Sequence, residues 1–314
     1  MATRGWALAV RSLCGLASLS VAAGLVLVLP PGPRAVARTP GGRPATLREA
    51  ARPMTRCVVA DRRLGQISGL VERAGGYSVV NDTGPVIWRL DAGCRPIRRT
   101  VLRPPRAHDP AAVPPGGKRF DTEDVALDRQ GAFWIADIGG NTTHRIAVSL
   151  FRWRLGTAST AVSRYDLRYP DGAHDAEAML LTRSGQVIIV AKTARAAGVY
   201  VADAPLRATG RLRLVGRVDL RRACPACRAR SRLITGGAVS KDGTRAVLRT
   251  YDRAFEWHAP RGDLARAVVK RAPRQIRLPV SRQGEAIAYT TDARTLLTAT
   301  ERIPAPIAAV PIRR

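Results

Sequence analysis

The chain has 314 residues, a formal net charge of +28 and few aromatic side chains, and its basic surplus is almost wholly arginine, with lysine only at positions 118, 192, 241 and 270. The arginines are scattered except between Arg221 and Arg232. No helix-turn-helix, RNA-recognition or zinc-finger spacing accompanies them, which argues against a specific nucleic-acid module and leaves salt-sensitive attraction to anionic polymers or phosphorylated ligands.

Arg4 and Arg11 precede an apolar run from Ser12 to Leu29, followed by Pro30, Pro31 and the small-residue triplet Ala35-Val36-Ala37. Residues 1–37 therefore read as a secretory signal peptide, and the expected location is secreted or extracytoplasmic, with no membrane attachment after cleavage. An uncleaved anchor is the other reading, because 18 apolar residues lie near the lower limit for a spanning helix. Loss of the three leader arginines leaves a charge of +25. Residues 38–54, rich in Pro, Arg and Gly, are expected to be a disordered linker. Residues 55–314 then form one domain, expected to be monomeric.

The predicted elements are nearly all short strands separated by Gly-rich or charged turns. A lone strand at 57–61 comes first. Four strands follow at 68–72, 77–81, 85–90 and 95–102. A proline-rich loop, 104–117, leads to a second set at 124–128, 132–137, 147–155 and 161–168. The third set is 177–182, 186–192, 198–203 and 212–220. The fourth is 237–240, 245–251, 254–258 and 275–280, with a short helix over 263–271 that takes Asp263 as its N-cap. The fifth, 285–290, 295–301 and 307–312, runs out of chain one strand short. Equivalent first strands recur about every 50 to 60 residues, the period of a four-stranded blade. The fold class is thus all-β, a β-propeller of five blades (six being the alternative), closed by the N-terminal strand completing the last blade.

Four cysteines remain after the leader. An even number in an exported chain points to two disulfides. Ring closure places Cys57 beside Cys94 and leaves Cys224 to pair locally with Cys227. A redox pair or half a zinc site is the alternative for Cys224-Pro-Ala-Cys227, but the thioredoxin-like context and the second ligand pair are both missing.

Innermost strands line the axis of a propeller, so superposing the repeats brings Ser68, Glu123, Glu177, Gly236 and Glu285 together at one end of the channel. The second strands end there on Asn81 and Asp82, Asp137, Lys192, Arg249 and Glu301. Three glutamates in a confined space repel one another unless neutralised. Lys192 and Arg249 are candidate counter-charges. A hard cation such as Ca2+, held by Glu123, Asp137 and Glu177, is another. A purely structural ring of ion pairs is a third reading of the same residues. Asn81, Asp82, Lys192, Arg249 and Glu301 are the candidate ligand-binding residues, and Glu285 and His174 the candidate acid–base groups. The sequons Asn81-Asp82-Thr83 and Asn141-Thr142-Thr143 read as turns. Trp88, Trp134, Trp153 and Trp257 are expected to pack between blades. No serine sits in a G-x-S-x-G elbow, and there is no H-E-x-x-H or phosphate-binding glycine loop.

These motifs also carry a family likeness. D-x-E-D-x-A from Asp121, A-D-I-G-x-N from Ala136, Y-P-D-G-x-x-D-A-E-A-M from Tyr169, V-A-K from Val190, T-G-x-A-V-S-x-D-G from Thr235, L-R-T-Y from Leu248 and G-E-A-I-A from Gly284 resemble a group of exported bacterial β-propellers. That group is similar in layout to the esterase-like phytase and SdiA-regulated propeller families. The resemblance spans nearly all of the mature chain and implies the fold more strongly than any activity. Gly140 departs from it, since an acid or asparagine is common at that position. Two functions are expected as alternatives: a propeller that binds a ligand, or an extracellular or cell-wall partner, at an acidic funnel for which Ca2+ is the candidate cation, and a metal-dependent hydrolase of an ester, lactone or phosphoester. Whether the chain is an enzyme is left undecided by its sequence.

Overall fold

A computed structural model describes residues 52–113, 120–140, 145–156 and 160–312. The expected leader, nearly all of the linker and the second sequon lie outside the described residues. The described chain forms five antiparallel sheets arranged as blades. Blade 1 comprises Ile67–Arg73, Gly76–Asn81, Val86–Asp91 and Pro96–Val101. Blade 2 comprises Thr122–Leu127, Ala132–Asp137, Ala147–Arg154 and Ser163–Arg168, and blade 3 Ala176–Leu181, Val187–Ala191, Ala197–Ala202 and Arg213–Val218. Blade 4 comprises Gly236–Val239, Arg245–Arg249, Arg253–His258 and Arg274–Arg277. Blade 5 has Gly284–Tyr289, Thr295–Thr300 and Ala305–Pro311, and its outermost strand is Met54–Val59 from the other end of the chain. The inner strands of successive blades touch one another around a closed ring.

Five blades and N-terminal closure are as expected, and the six-bladed alternative is not what forms. The closing strand begins at Met54, slightly earlier than its hydrophobic pattern suggests, and pairs antiparallel with the third strand of blade 5. Cys57 on this strand is bonded to Cys94 in the last hairpin of blade 1, with Cα atoms 5.6 Å apart, and Cys224 is bonded to Cys227. The first bridge ties the closing strand to the blade next in the ring. Replacing Cys57 and Cys94 with serine is expected to lower stability by about 3 to 4 kcal/mol, from the entropy of the 37-residue loop they close. Urea titration of the double variant checks this, and a loss below about 1 kcal/mol would mean that hydrogen bonds alone hold the closure.

The blades pack through alternating apolar faces. One interface buries Val59, Leu70, Trp88 and Ile307, and another buries Leu180, Val199, Phe255 and Trp257. Trp88, Trp134, Trp153 and Trp257 each lie in a core cluster that joins two neighbouring blades, as expected. The short helix Leu264–Lys270 forms where expected, with the Asp263 carboxylate accepting from the backbone N–H of Arg266 at 3.1 Å. One strand was not anticipated. Thr209–Arg211, from the connection inside blade 3, adds in parallel to the outer edge of blade 2 and covers an otherwise open edge.

Candidate functional site: the acidic end of the channel

The glutamates reach the axis because their strands are irregular. In three inner strands the pairing register shifts by one residue, and the skipped residues are Ser68, Glu123 and Glu177. In blade 5 the shift lies between Gly284 and Ile287, around Glu285 and Ala286. A bulge leaves its extra residue outside the ladder and turns its side chain. Four blades therefore present a bulge residue to the channel. Blade 4, with Gly236 at that place, pairs without interruption.

The result is an acidic pocket with few counter-charges. Glu123, Glu177 and Glu285 are each about 5% exposed or less. Burial pushes the Glu123 carboxyl well above its usual range, and the nearby charges of Glu177, Asp121, Glu285 and Asp175 push it further. Burial does the same to Glu177 and, next, so does Glu285. Glu285 is raised to about 7, chiefly by burial, although Lys192 opposes the shift. The Lys192 ammonium bonds Glu177 Oε1, interacts with the Tyr251 hydroxyl and lies 6.0 Å from the Tyr251 ring centre. Burial lowers the Lys192 pKa, but Glu177 outweighs it and the amine is held charged. The Arg230 guanidinium covers the same tyrosine ring at 4.1 Å.

Two oxygens in this pocket are left over. Glu177 Oε2 and Glu285 Oε2 are both buried and have no hydrogen-bond partner. The two carboxyls are close enough to share a hydrogen bond. Two carboxylates cannot donate to each other, so a shared proton, a bound cation or the charge of Lys192 has to offset their repulsion. Gly139 makes room beside Glu123: a Cβ there would fall 2.2 Å from Glu123 Oε1 and 2.7 Å from Asp121 Oδ2.

Other expected site residues have different employment. Asp137 is engaged by Arg145 and the Asp121 backbone rather than left open beside Glu123 and Glu177. It pairs with Arg145 at 3.2 Å and accepts from the backbone N–H of Asp121 at 2.6 Å. Burial raises its pKa, and Arg145 offsets part of that. Among the described residues no group of three or more His, Cys, Asp or Glu side chains is arranged to hold a metal ion. Arg249 is withdrawn from the channel, 2% exposed, and donates to the carbonyls of Thr250, Ala286 and Ala299 at 2.7 to 3.1 Å. Burial lowers its pKa to about 10. Asn81 donates to the carbonyl of Arg63, while its own Oδ1 is buried without a partner. Asp82 accepts from Gln66. Glu301 accepts from Gln283, and burial, then Asp82, raises its pKa. His174 is bonded to Asp171 at 2.9 Å and Tyr200 at 2.8 Å and packs on Tyr169, with no axial glutamate among its partners.

Two residues that sequence reasoning did not assign shape the site. Arg145 holds Asp137 and the carbonyl of Gly139, the residue that lies against Glu123. Asp124, next to Glu123, accepts from the backbone N–H groups of Val125, Met179 and Gly237 and so joins the inner strands of blades 2, 3 and 4. Its neighbours in the repeat are Gly69, Ala178, Gly237 and Ala286, so a carboxylate among small residues was the available signal.

The chain is thus a five-bladed β-propeller with an acidic pocket at one end of its axis. No protein-family model and no curated protein sequence matches it. Among solved structures it is similar to a luciferin-regenerating enzyme, at 10% identity over 84% of this chain and 93% of that one, with a TM-score of 0.47. It is also similar to a gluconolactonase of Xanthomonas campestris, at 13% identity over 79% and 72%, with a TM-score of 0.44. A virginiamycin B lyase from Staphylococcus aureus matches at 11% identity over 79% and 66%, with a TM-score of 0.37. Likenesses this distant bring no activity to this chain. Its two disulfides are compatible with an oxidising compartment. Among the described residues no helix is long and apolar enough to cross a membrane.

Proposed function

We propose that the chain is an exported binding propeller whose acidic pocket takes up a cation between Glu177 and Glu285, with Glu123 facing it. The observation that carries this reading is the pair of buried carboxylate oxygens, Glu177 Oε2 and Glu285 Oε2, that lack any donor. A hard cation is bound by carboxylate oxygens of this kind, and Ca2+ is the first candidate because it accepts irregular geometry. Asp137 has no part in this set, since Arg145 already claims it. The leader-like N-terminus and the likeness of the motifs to esterase-like phytase and SdiA-regulated propellers support an extracytoplasmic setting.

One observation favours a second reading, hydrolysis of an ester, lactone or phosphoester. A carboxyl with a pKa of about 7 is suited to take a proton from water near neutral pH. Glu285 would then be the base, with Lys192 and Tyr251 beside it as donors to a developing oxyanion. A bound metal would add Lewis-acid polarisation of the substrate.

Calorimetric titration with CaCl2 at pH 7.5, on the parent and on Glu177→Gln, tests the first reading. Saturable binding in the parent, weakened roughly a hundredfold or more in the variant, is the expected result. Heat that is equal in the two proteins, or absent from both, removes the cation site. Hydrolysis of ester, lactone and phosphoester substrates that is lost in Glu285→Gln, while calcium binding survives, would select the second reading.

A further inference from the structure

The opposite end of the channel carries a cavity of different chemistry. Where the inner strands run out into their hairpin turns, a space of about 530 Å3 opens, within the size range of pockets that hold small organic ligands. Its walls mix apolar and polar side chains, with Leu70, Val125, Leu181 and Ala288 buried, Leu127 and Val239 half-buried nearer the mouth, and Thr182, Ser240, Tyr289 and Thr290 among them. Its rim carries Arg129, Arg183 and Lys241, all exposed.

These three cations are placed there by the repeat itself. Each stands two residues before a turn glycine, Gly131, Gly185 or Gly243, whose φ of 74° to 86° only glycine adopts freely. Three consecutive blades thus deliver a basic side chain from the same hairpin position to one axis. Among the described residues none of the three has an ion-pair or hydrogen-bond partner. Two acids, Glu72 and Asp128, share the rim, and each has partners that hold it in place. Glu72 accepts from the backbone N–H and hydroxyl of Thr291 at 2.6 and 3.0 Å. Asp128 pairs with Arg152 at 2.7 Å and also accepts from the indole N–H of Trp134.

Three like charges around the mouth repel one another, and the apolar part of the wall behind them, Leu70, Val125, Leu181 and Ala288, favours leaving water. A ligand with an anionic head and a hydrocarbon body answers both. We propose that this cavity binds an amphipathic carboxylate, its head among Arg129, Arg183 and Lys241 and its chain along the inner strands. The proposal is independent of the acidic pocket, since it uses none of that pocket's residues.

Titration calorimetry with decanoate tests it, using decyltrimethylammonium as the ligand of opposite charge. The expected result is a single saturable decanoate site, weakened roughly tenfold or more in the Arg129→Gln, Arg183→Gln, Lys241→Gln triple variant. The cationic detergent is expected not to compete. Val239→Glu, which places an acid at the mouth, is expected to weaken decanoate comparably. The three basic residues are exposed and unpaired, so the melting temperature of the triple variant is expected to match the parent. Should it fail to fold, the single substitutions carry the test, each weakening binding by a few-fold. No decanoate binding, equal binding in parent and charge variants, or equal binding of the cationic detergent each overturns the proposal. Decanoate binding that depended on Glu177 instead would place the ligand at the other end and overturn it as well.

Discussion

Without calcium, stability is expected to fall as pH rises from about 5 to about 8, and Glu285→Gln is expected to abolish most of that fall. The Glu285 carboxyl moves from an ordinary 4.5 to about 7 on folding, chiefly through burial. A raised carboxyl means that the folded chain holds a proton that the unfolded chain has lost. Its contribution is fully present below about pH 4.5 and is lost as pH climbs through 7. The shift corresponds to roughly 3 kcal/mol, read as the property of a coupled group, because Glu177 and Glu123 are raised by the same surroundings.

Glutamine at 285 keeps the neutral shape and supplies the N–H that the Glu177 carboxylate lacks. The variant should therefore match the parent near pH 5 and exceed it near pH 8 by up to about 3 kcal/mol. Carboxyls held low elsewhere, such as Asp242 at about 2, lose their contribution only in stronger acid, below this window. Chemical denaturation at several pH values measures the trend. A flat profile, or a glutamine variant weaker than the parent at pH 8, would show that Lys192 alone balances the pocket. In the parent, added calcium should restore stability at the alkaline end and release a proton on binding.

The fold was open to sequence reading because a propeller is a local code repeated. Each blade's first hairpin carries a glycine or a polar turn at one place, and the hydrophobic alternation on either side needs no long-range information. Ring closure was legible from arithmetic alone, since one strand stood before the first repeat and the last repeat was one strand short. The convergence of Glu123, Glu177 and Glu285 followed from the same superposition. What could not be read is what each charge finds when it arrives. Asp137 and Arg249 occupy ends of second strands just as Lys192 follows one, yet of the three only Lys192 forms an ion pair with a glutamate. Asp137 is claimed by Arg145, which stands just ahead of the third strand of the same blade, a place the repeat does not single out. The bulges that aim the glutamates are register events between strands, and a single strand's pattern does not reveal them. The parallel strand Thr209–Arg211 escaped notice for a similar reason: edge pairing depends on where a connection happens to lie.

Arg249→Met is expected to be among the most destabilising single changes in the molecule, at about 3 to 5 kcal/mol. The bulge in blade 5 interrupts pairing between Gly284 and Ile287, and Arg249 Nη1 donates to the carbonyls of both Ala286 and Ala299 in that stretch. The guanidinium passes so close to Gly284 that a Cβ there would lie 1.8 Å from Arg249 Nη2. Its other contacts, to the carbonyls of Thr250 and Tyr251, anchor it to blade 4. Methionine fills similar volume but leaves those buried carbonyls without donors and removes a cation whose charge acts on Glu285. Glu285 should then hold its proton to still higher pH, so the loss should grow as pH rises through 7. Denaturation of the variant near pH 5 and near pH 8 separates the two parts. A loss below about 1 kcal/mol at both would mean that water replaces the guanidinium and that the brace is dispensable. A loss equal at both would leave the carbonyl brace intact as an explanation and remove the charge coupling to Glu285.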